Sequence, residues 1–149
     1  MKKEQIEQWA RGDQLRKRSL DKEKVKSMIE SSTMNMAIVK TVSLTKQSAI
    51  LIFRETYESI RQLGDAYWWL RGYEPRNHEV SMEILKEMDI REKVRLNHLS
   101  RFKTIRNDTN YRGFKVTVGQ AKEILEFWDV CSPEMVSQLL KELQKNVTS

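Results

Sequence analysis

Arg106, Asn107, Asp108, Asn110, Tyr111, Arg112 and Lys115 gather cations, short polar side chains and a phenol within one stretch of chain. Such a set suits a phosphate or a nucleotide: a guanidinium offers a planar fork of donors, and amide and hydroxyl groups add orienting hydrogen bonds. Arg106 and Tyr111 stand five positions apart, which on an unbroken helix of about 3.6 residues per turn would aim them well away from each other. Asn107, Asp108, Thr109 and Asn110 are residue types whose side chains compete for nearby backbone groups. Gly113 is a natural helix stop. The stretch therefore predicts a helix that unwinds just after Ile105 and lets Arg106 and Tyr111 converge. The plainer alternative is that Arg106 caps its helix end or pairs with Asp108.

The elements that must position this stretch are helices. Five glycines and two prolines in 149 residues leave little material for tight turns, and no sustained alternation of period two is visible. The expected fold is all-α, an up-and-down antiparallel bundle of four to six helices. A first helix starts near Ser19 or Asp21 and carries Val25, Met28, Ile29 and Met36 inward. The chain turns near 41–43. A second, strongly amphipathic helix places Ala49, Phe53, Ile60, Leu63, Tyr67 and Leu70 on one stripe, flanked by Ile50 and Tyr57, and ends at Arg71-Gly72. Tyr67-Trp68-Trp69 spreads three aromatics around that helix. One of them is expected to meet a partner, unless the following loop buries it.

Tyr73-Glu74-Pro75-Arg76-Asn77 reads as a loop, with Asn77 capping a short helix of Val80, Ile84, Leu85 and Met88. His78, in its first turn, is expected to make a polar contact near the loop. Val94, Leu99, Phe102 and Ile105 mark the helix that leads to Arg106. Phe114-Lys115-Val116 reads as extended, and Thr117-Val118-Gly119-Gln120 as a capping box. The helix it opens buries Ala121, Ile124, Leu125 and Trp128. Ser132-Pro133-Glu134 starts a further helix, or a kinked continuation, with Met135, Leu139 and Leu143 as its stripe; fraying is expected from Lys145.

Residues 1–18 read as a basic N-terminal extension, with 19–149 as the bundle. Ile6, Trp9 and Ala10 form one apolar turn, followed by Arg16-Lys17-Arg18. Cations beside an aromatic suit a nucleic-acid arm; a terminus with Trp9 tucked onto the core is the favoured reading. A net charge of +6 and a pI near 9.5 favour polyanionic partners or acidic protein faces. Cys131 is the only cysteine, there is no apolar run of membrane-spanning length, and no apolar signal core follows Met1. A cytoplasmic setting without membrane attachment is expected. Glycine-rich phosphate loops, a Cys/His pair and metal-binding histidine spacings are absent, so neither a cofactor nor a metal is expected.

With these residues in place, the chain resembles the HEPN domain, a small helical family named for higher eukaryotes and prokaryotes nucleotide-binding. Tyr57-Glu58-x-x-Arg61 through Leu70-Arg71-Gly72-Tyr73-Glu74-Pro75-x-x-His78-Glu79 resembles the family's long second helix and following loop. Arg106-Asn107-x-x-x-Tyr111 is similar to its Arg-x(4–6)-His signature, and the helix from Thr117 matches its closing helix. The resemblance covers roughly residues 20–130.

It implies a two-fold homodimer with the motif ends meeting across a basic cleft. Active members are metal-independent endoribonucleases. Many are toxins encoded beside a minimal nucleotidyltransferase, which neutralises them by complex formation or by adding AMP to a tyrosine near the motif. In that chemistry Arg106 would hold the scissile phosphate, Asn107 would orient it, and the histidine would move the proton. Tyr111 occupies the histidine position here. A phenol, with a reference pKa near 10, donates a proton at neutral pH but is a poor base. Gly113 stands where AMP-accepting toxins often carry tyrosine, leaving Tyr111 as the nearest candidate acceptor.

Three functions follow: a nucleotide- or RNA-binding partner of a minimal nucleotidyltransferase, favoured by the missing histidine; a ribonuclease using Arg106 and Tyr111; or a nucleic-acid-binding or scaffold protein working through its basic N-terminus.

Overall fold

A computed structural model describes residues 1–113 and 115–148, with side chains through Lys145. Six helices lie among them: α1 (Lys3–Arg11), α2 (Lys22–Val39), α3 (Ala49–Leu70), α4 (His78–Leu85), α5 (His98–Arg112) and α6 (Val118–Thr148). A short 3₁₀ segment, Lys93–Asn97, leads into α5. The fold is all-α except for one small sheet. No helix among the described residues is long and apolar enough to cross a membrane.

The centre is α3. Buried positions occupy more than one side of it, including Ile52, Phe53, Tyr57, Ile60, Leu63, Ala66 and Trp68, because α2, α4 and α6 all pack against it. Its partner α2 runs antiparallel: the Ser32 hydroxyl donates to the Ser59 carbonyl at 2.7 Å, and the Asn35 amide donates to Glu55 O at 3.3 Å and Ser59 Oγ at 3.0 Å. Asp21 caps α2 by accepting from Lys24 N–H at 3.0 Å, so the Ser31-Ser32-Thr33 patch is carried within an intact helix. At Gly64, α4 comes close to the backbone of α3. A Cβ at that position would overlap the carbonyl oxygen of Ser81, so glycine here sets the separation of the two helices.

The N-terminal segment is built into the bundle. Leu15–Lys17 (β1) pairs antiparallel with Tyr73–Pro75 (β2), with Leu15 opposite Pro75 and Lys17 opposite Tyr73. Leu15 itself is fully buried. The stretch at 73–77, expected as a loop, is therefore half strand. A three-residue strand is too short to leave a period-two signal, and the proline that argued for a loop sits at the end of β2. Gly72, at φ +86°, makes the turn from α3 into β2.

Tyr67, Trp68 and Trp69 are all buried within the chain, so none is left for a partner. Trp68 meets Trp9 edge-on at 6.1 Å and Tyr73 at 5.9 Å, and its indole N–H donates to Val80 O at 2.7 Å. Lys24 lies 4.4 Å above the Trp69 ring, and Arg71 lies 4.9 Å from that of Tyr67. A central helix covered from several directions can bury all three rings. Trp9 on the core is the docked terminus expected from the sequence.

Two helix ends follow the expected chemistry. The Asn77 side chain accepts from Val80 N–H at 3.0 Å. Thr117 and Gln120 form the reciprocal capping box, at 3.0 and 3.1 Å. Beyond it α6 continues as one helix through Pro133 to Thr148. Lys115 and Val116 precede it outside regular structure, and Phe114 lies outside the described residues.

Candidate functional site

Lys103, Arg106, Asn107 and Tyr111 fall at i, i+3, i+4 and i+8 along α5, a spacing that makes one helical face. All four line a crevice of about 340 Å³, closed on its other sides by Tyr57 of α3 and by Asn77, His78 and Glu79 at the start of α4. Each wall has its own anchor. The Gly64–Ser81 approach holds α4 on α3, and Lys103 Nζ reaches Glu79 Oε1 at 3.2 Å, tying α5 to α4.

The expected unwinding of α5 does not occur. The helix runs through Asn107, Asp108, Thr109 and Asn110 to Arg112, and Gly113, at φ +70°, stops it by donating its N–H to Asp108 O. Local preference for turns is outweighed by packing and charge: Thr109 is buried, and Arg112 pairs with Asp108 at 3.9 Å one turn away. Arg106 and Tyr111 still share a site. Asn107 lies between them on the helix face, one turn from Tyr111, and helical side chains slant toward the N-terminus, which brings a residue near 111 back over the turn at 107. Val94, placed by the sequence on the buried stripe, instead lies exposed in the 3₁₀ segment.

The other candidates from the sequence part company here. Asp108 and Arg112 engage each other, and Asn110 is exposed; none of the three lines the crevice. Lys115 lines a separate, larger groove of about 980 Å³ with Lys46, Gln47, Ile50 and Thr109. Arg106 neither pairs with Asp108 nor makes any ion pair among the described residues. Its guanidinium lies 5.4 Å from the centroid of the Tyr57 ring, within cation–π range.

Electrostatics separate the groups in the crevice. The Tyr57 hydroxyl is buried and has no hydrogen-bond partner. Burial pushes its pKa up to about 12 against the opposing charges of Arg106 and Arg61, so it remains a donor. His78 is held below the usual imidazole value, first by partial desolvation, then by the Arg61 and Arg106 cations; Glu58 opposes them. The site thus contains a neutral imidazole beside a permanent cation. Glu58 itself is spent on Arg61: burial would raise its pKa, but the hydrogen bonds and charge of Arg61 draw it down. Asp65 takes the other side of the same guanidinium and accepts from the Ser81 hydroxyl, and burial raises its pKa.

The sequence did not single out Tyr57 and Lys103 for this site, and it gave His78 and Glu79 no share in it. The spacing of Lys103, Arg106, Asn107 and Tyr111 was a legible signal, because it is the pattern of one helix face. Elsewhere, Arg16 pairs with Asp13 at 3.4 Å and Arg18 with Glu74 at 2.9 Å, so two of the three cations in the Arg16-Lys17-Arg18 run are already engaged. Cys131 is buried, and burial pushes its thiol up to about 11, away from nucleophile chemistry. Comparison of the chain with family models, with curated proteins and with solved structures finds no match.

Proposed function

We propose that the crevice between α3, α4 and α5 binds the phosphate of a nucleotide or of single-stranded RNA. In this reading the chain is a HEPN-type binding protein, the toxin-like half of a pair with a minimal nucleotidyltransferase, working as a homodimer. The observation that carries the reading is Arg106: a guanidinium lining a crevice, resting on an aromatic face, with no carboxylate of its own. Left unpaired, its donors are free for an anionic oxygen. One further feature supports it. The Tyr111 ring is 81% exposed at the edge of the same crevice, a surface on which a base can stack.

The test is binding of a fluorescently labelled single-stranded RNA, followed by anisotropy at low salt. Arg106→Ala should weaken binding by about 10-fold or more, the loss of a charge-assisted hydrogen bond. Affinity should fall steeply with added salt. An Arg106→Ala protein that binds as tightly as the parent would refute the site. The partner is tested separately, by co-expression with a minimal nucleotidyltransferase and by light scattering for the dimer.

Metal-independent RNA cleavage is a second reading. It is favoured by one observation, the imidazole of His78 among the groups lining the crevice.

A further inference from the structure

We infer that His78 is the proton acceptor for cleavage of single-stranded RNA in this crevice, filling from α4 the role that Tyr111 cannot take from α5. The inference rests on the RNA-binding reading above and adds a reaction to it. His78 is the first residue of α4 and lines the crevice together with Arg106, Tyr57 and Tyr111. Its backbone position is fixed from several directions. Asn77 caps the helix, the Trp68 indole holds the Val80 carbonyl, Lys103 holds Glu79, and Ser81 abuts Gly64. The imidazole therefore projects from a clamped helix end.

The charged and titratable groups around it have consistent roles. Arg106 and Arg61 disfavour a second positive charge, Glu58 partly offsets them while bound to Arg61, and Glu79 is engaged by Lys103. The N-terminal end of α4 also disfavours a cation. An imidazole held below its ordinary value in the same crevice as a guanidinium is the combination general-base catalysis needs.

The reaction balances without a co-reactant. His78 takes the proton of a 2′-hydroxyl as that oxygen attacks the adjacent phosphorus, while Arg106 holds the non-bridging oxygens. The bond from phosphorus to the 5′-oxygen breaks, and the departing oxygen takes the proton of the Tyr111 phenol. The products are a 2′,3′-cyclic phosphate and a 5′-hydroxyl. Imidazolium and phenolate then exchange with water to their starting forms.

The experiment uses the full chain in chelator-containing buffer with a labelled single-stranded RNA of mixed sequence. The all-2′-deoxy oligonucleotide of the same sequence reports binding without cleavage. The parent protein should release fragments ending in 2′,3′-cyclic phosphate. His78→Gln should lower the rate by about 10²–10⁴-fold, the usual contribution of a positioned base, and bind the deoxy oligonucleotide within a factor of about 2–3, as expected for a group that adds little to ground-state binding. The acid-side fall of the parent's rate with pH should vanish from any residual His78→Gln activity. Arg106→Ala should lose both cleavage and binding. A parent that binds the deoxy oligonucleotide but leaves the RNA intact overturns the role of His78 and spares the binding reading. Equal cleavage by parent and His78→Gln does the same. A parent that binds neither oligonucleotide overturns both.

Discussion

The guanidinium of Arg106 sits 5.4 Å from the ring centroid of Tyr57, and the hydroxyl of that same tyrosine is buried without a partner. The two residues lie on different helices, and together they give the crevice a fixed cation over a donor that has nothing to donate to. A buried hydroxyl without a hydrogen bond costs on the order of 1–3 kcal/mol.

Replacing Tyr57 with Phe therefore separates stability from binding. The Tyr57→Phe protein should be as stable as the parent or more so, by up to about 1 kcal/mol, because an unsatisfied group is lost while the ring stays. Its affinity for single-stranded RNA should be unchanged, because the ring beneath Arg106 is kept and the hydroxyl has no surface open to the crevice. Urea unfolding and anisotropy on the same preparation measure both.

His78 should titrate below its ordinary value of 6.5, since burial and the Arg61 and Arg106 cations hold it down. A depressed imidazole contributes stability that is fully present above the unfolded-state value and is lost as pH falls through the native one. The ring proton signals followed by NMR, assigned against His98→Gln, give the midpoint. Stability measured from pH 7 down to 5 should fall less steeply in His78→Gln than in the parent.

Gly64→Ala should be severely destabilising. The new methyl would meet the backbone of Ser81 rather than a movable side chain, so α3 and α4 must separate, at a cost of about 3 kcal/mol or more. The midpoint of urea unfolding reads this directly, and an unchanged midpoint would contradict the packing described.

Deleting residues 1–18 should damage the bundle. The segment contributes fully buried Leu15, the pairing of β1 with β2 and the contact of Trp9 with Trp68. Loss of one buried leucine side chain alone costs about 2–5 kcal/mol. A thermal midpoint that survives the deletion would mean that the segment is the separate extension expected from composition.

Much of the fold was legible in local chemistry. Asp21, Asn77 and the Thr117–Gln120 pair cap the helices they were expected to cap, and Gly72 and Gly113 take the positive φ that ends α3 and α5. Caps and stops depend on groups within a few residues of each other, so the order of residues suffices to find them. The same reasoning failed at residues 107–110, where four turn-favouring side chains remained helical. Intrinsic preferences of a few tenths of a kcal/mol per residue are smaller than the packing of Thr109 and the rest of α5 against the core.

The crevice belonged to the other category. Arg106, Asn107 and Tyr111 were candidates by residue type, but their spacing was read as letting Arg106 and Tyr111 meet only if the helix unwound. Nothing in that spacing could bring Tyr57 or His78 to them, because those residues come from two other helices whose approach depends on a missing Cβ at position 64. The sequence determined the helices, their ends and the cation. The tertiary structure decided which groups face that cation, since contacts between distant segments depend on how the buried faces of α3, α4 and α5 pack, and helical periodicity carries no record of that.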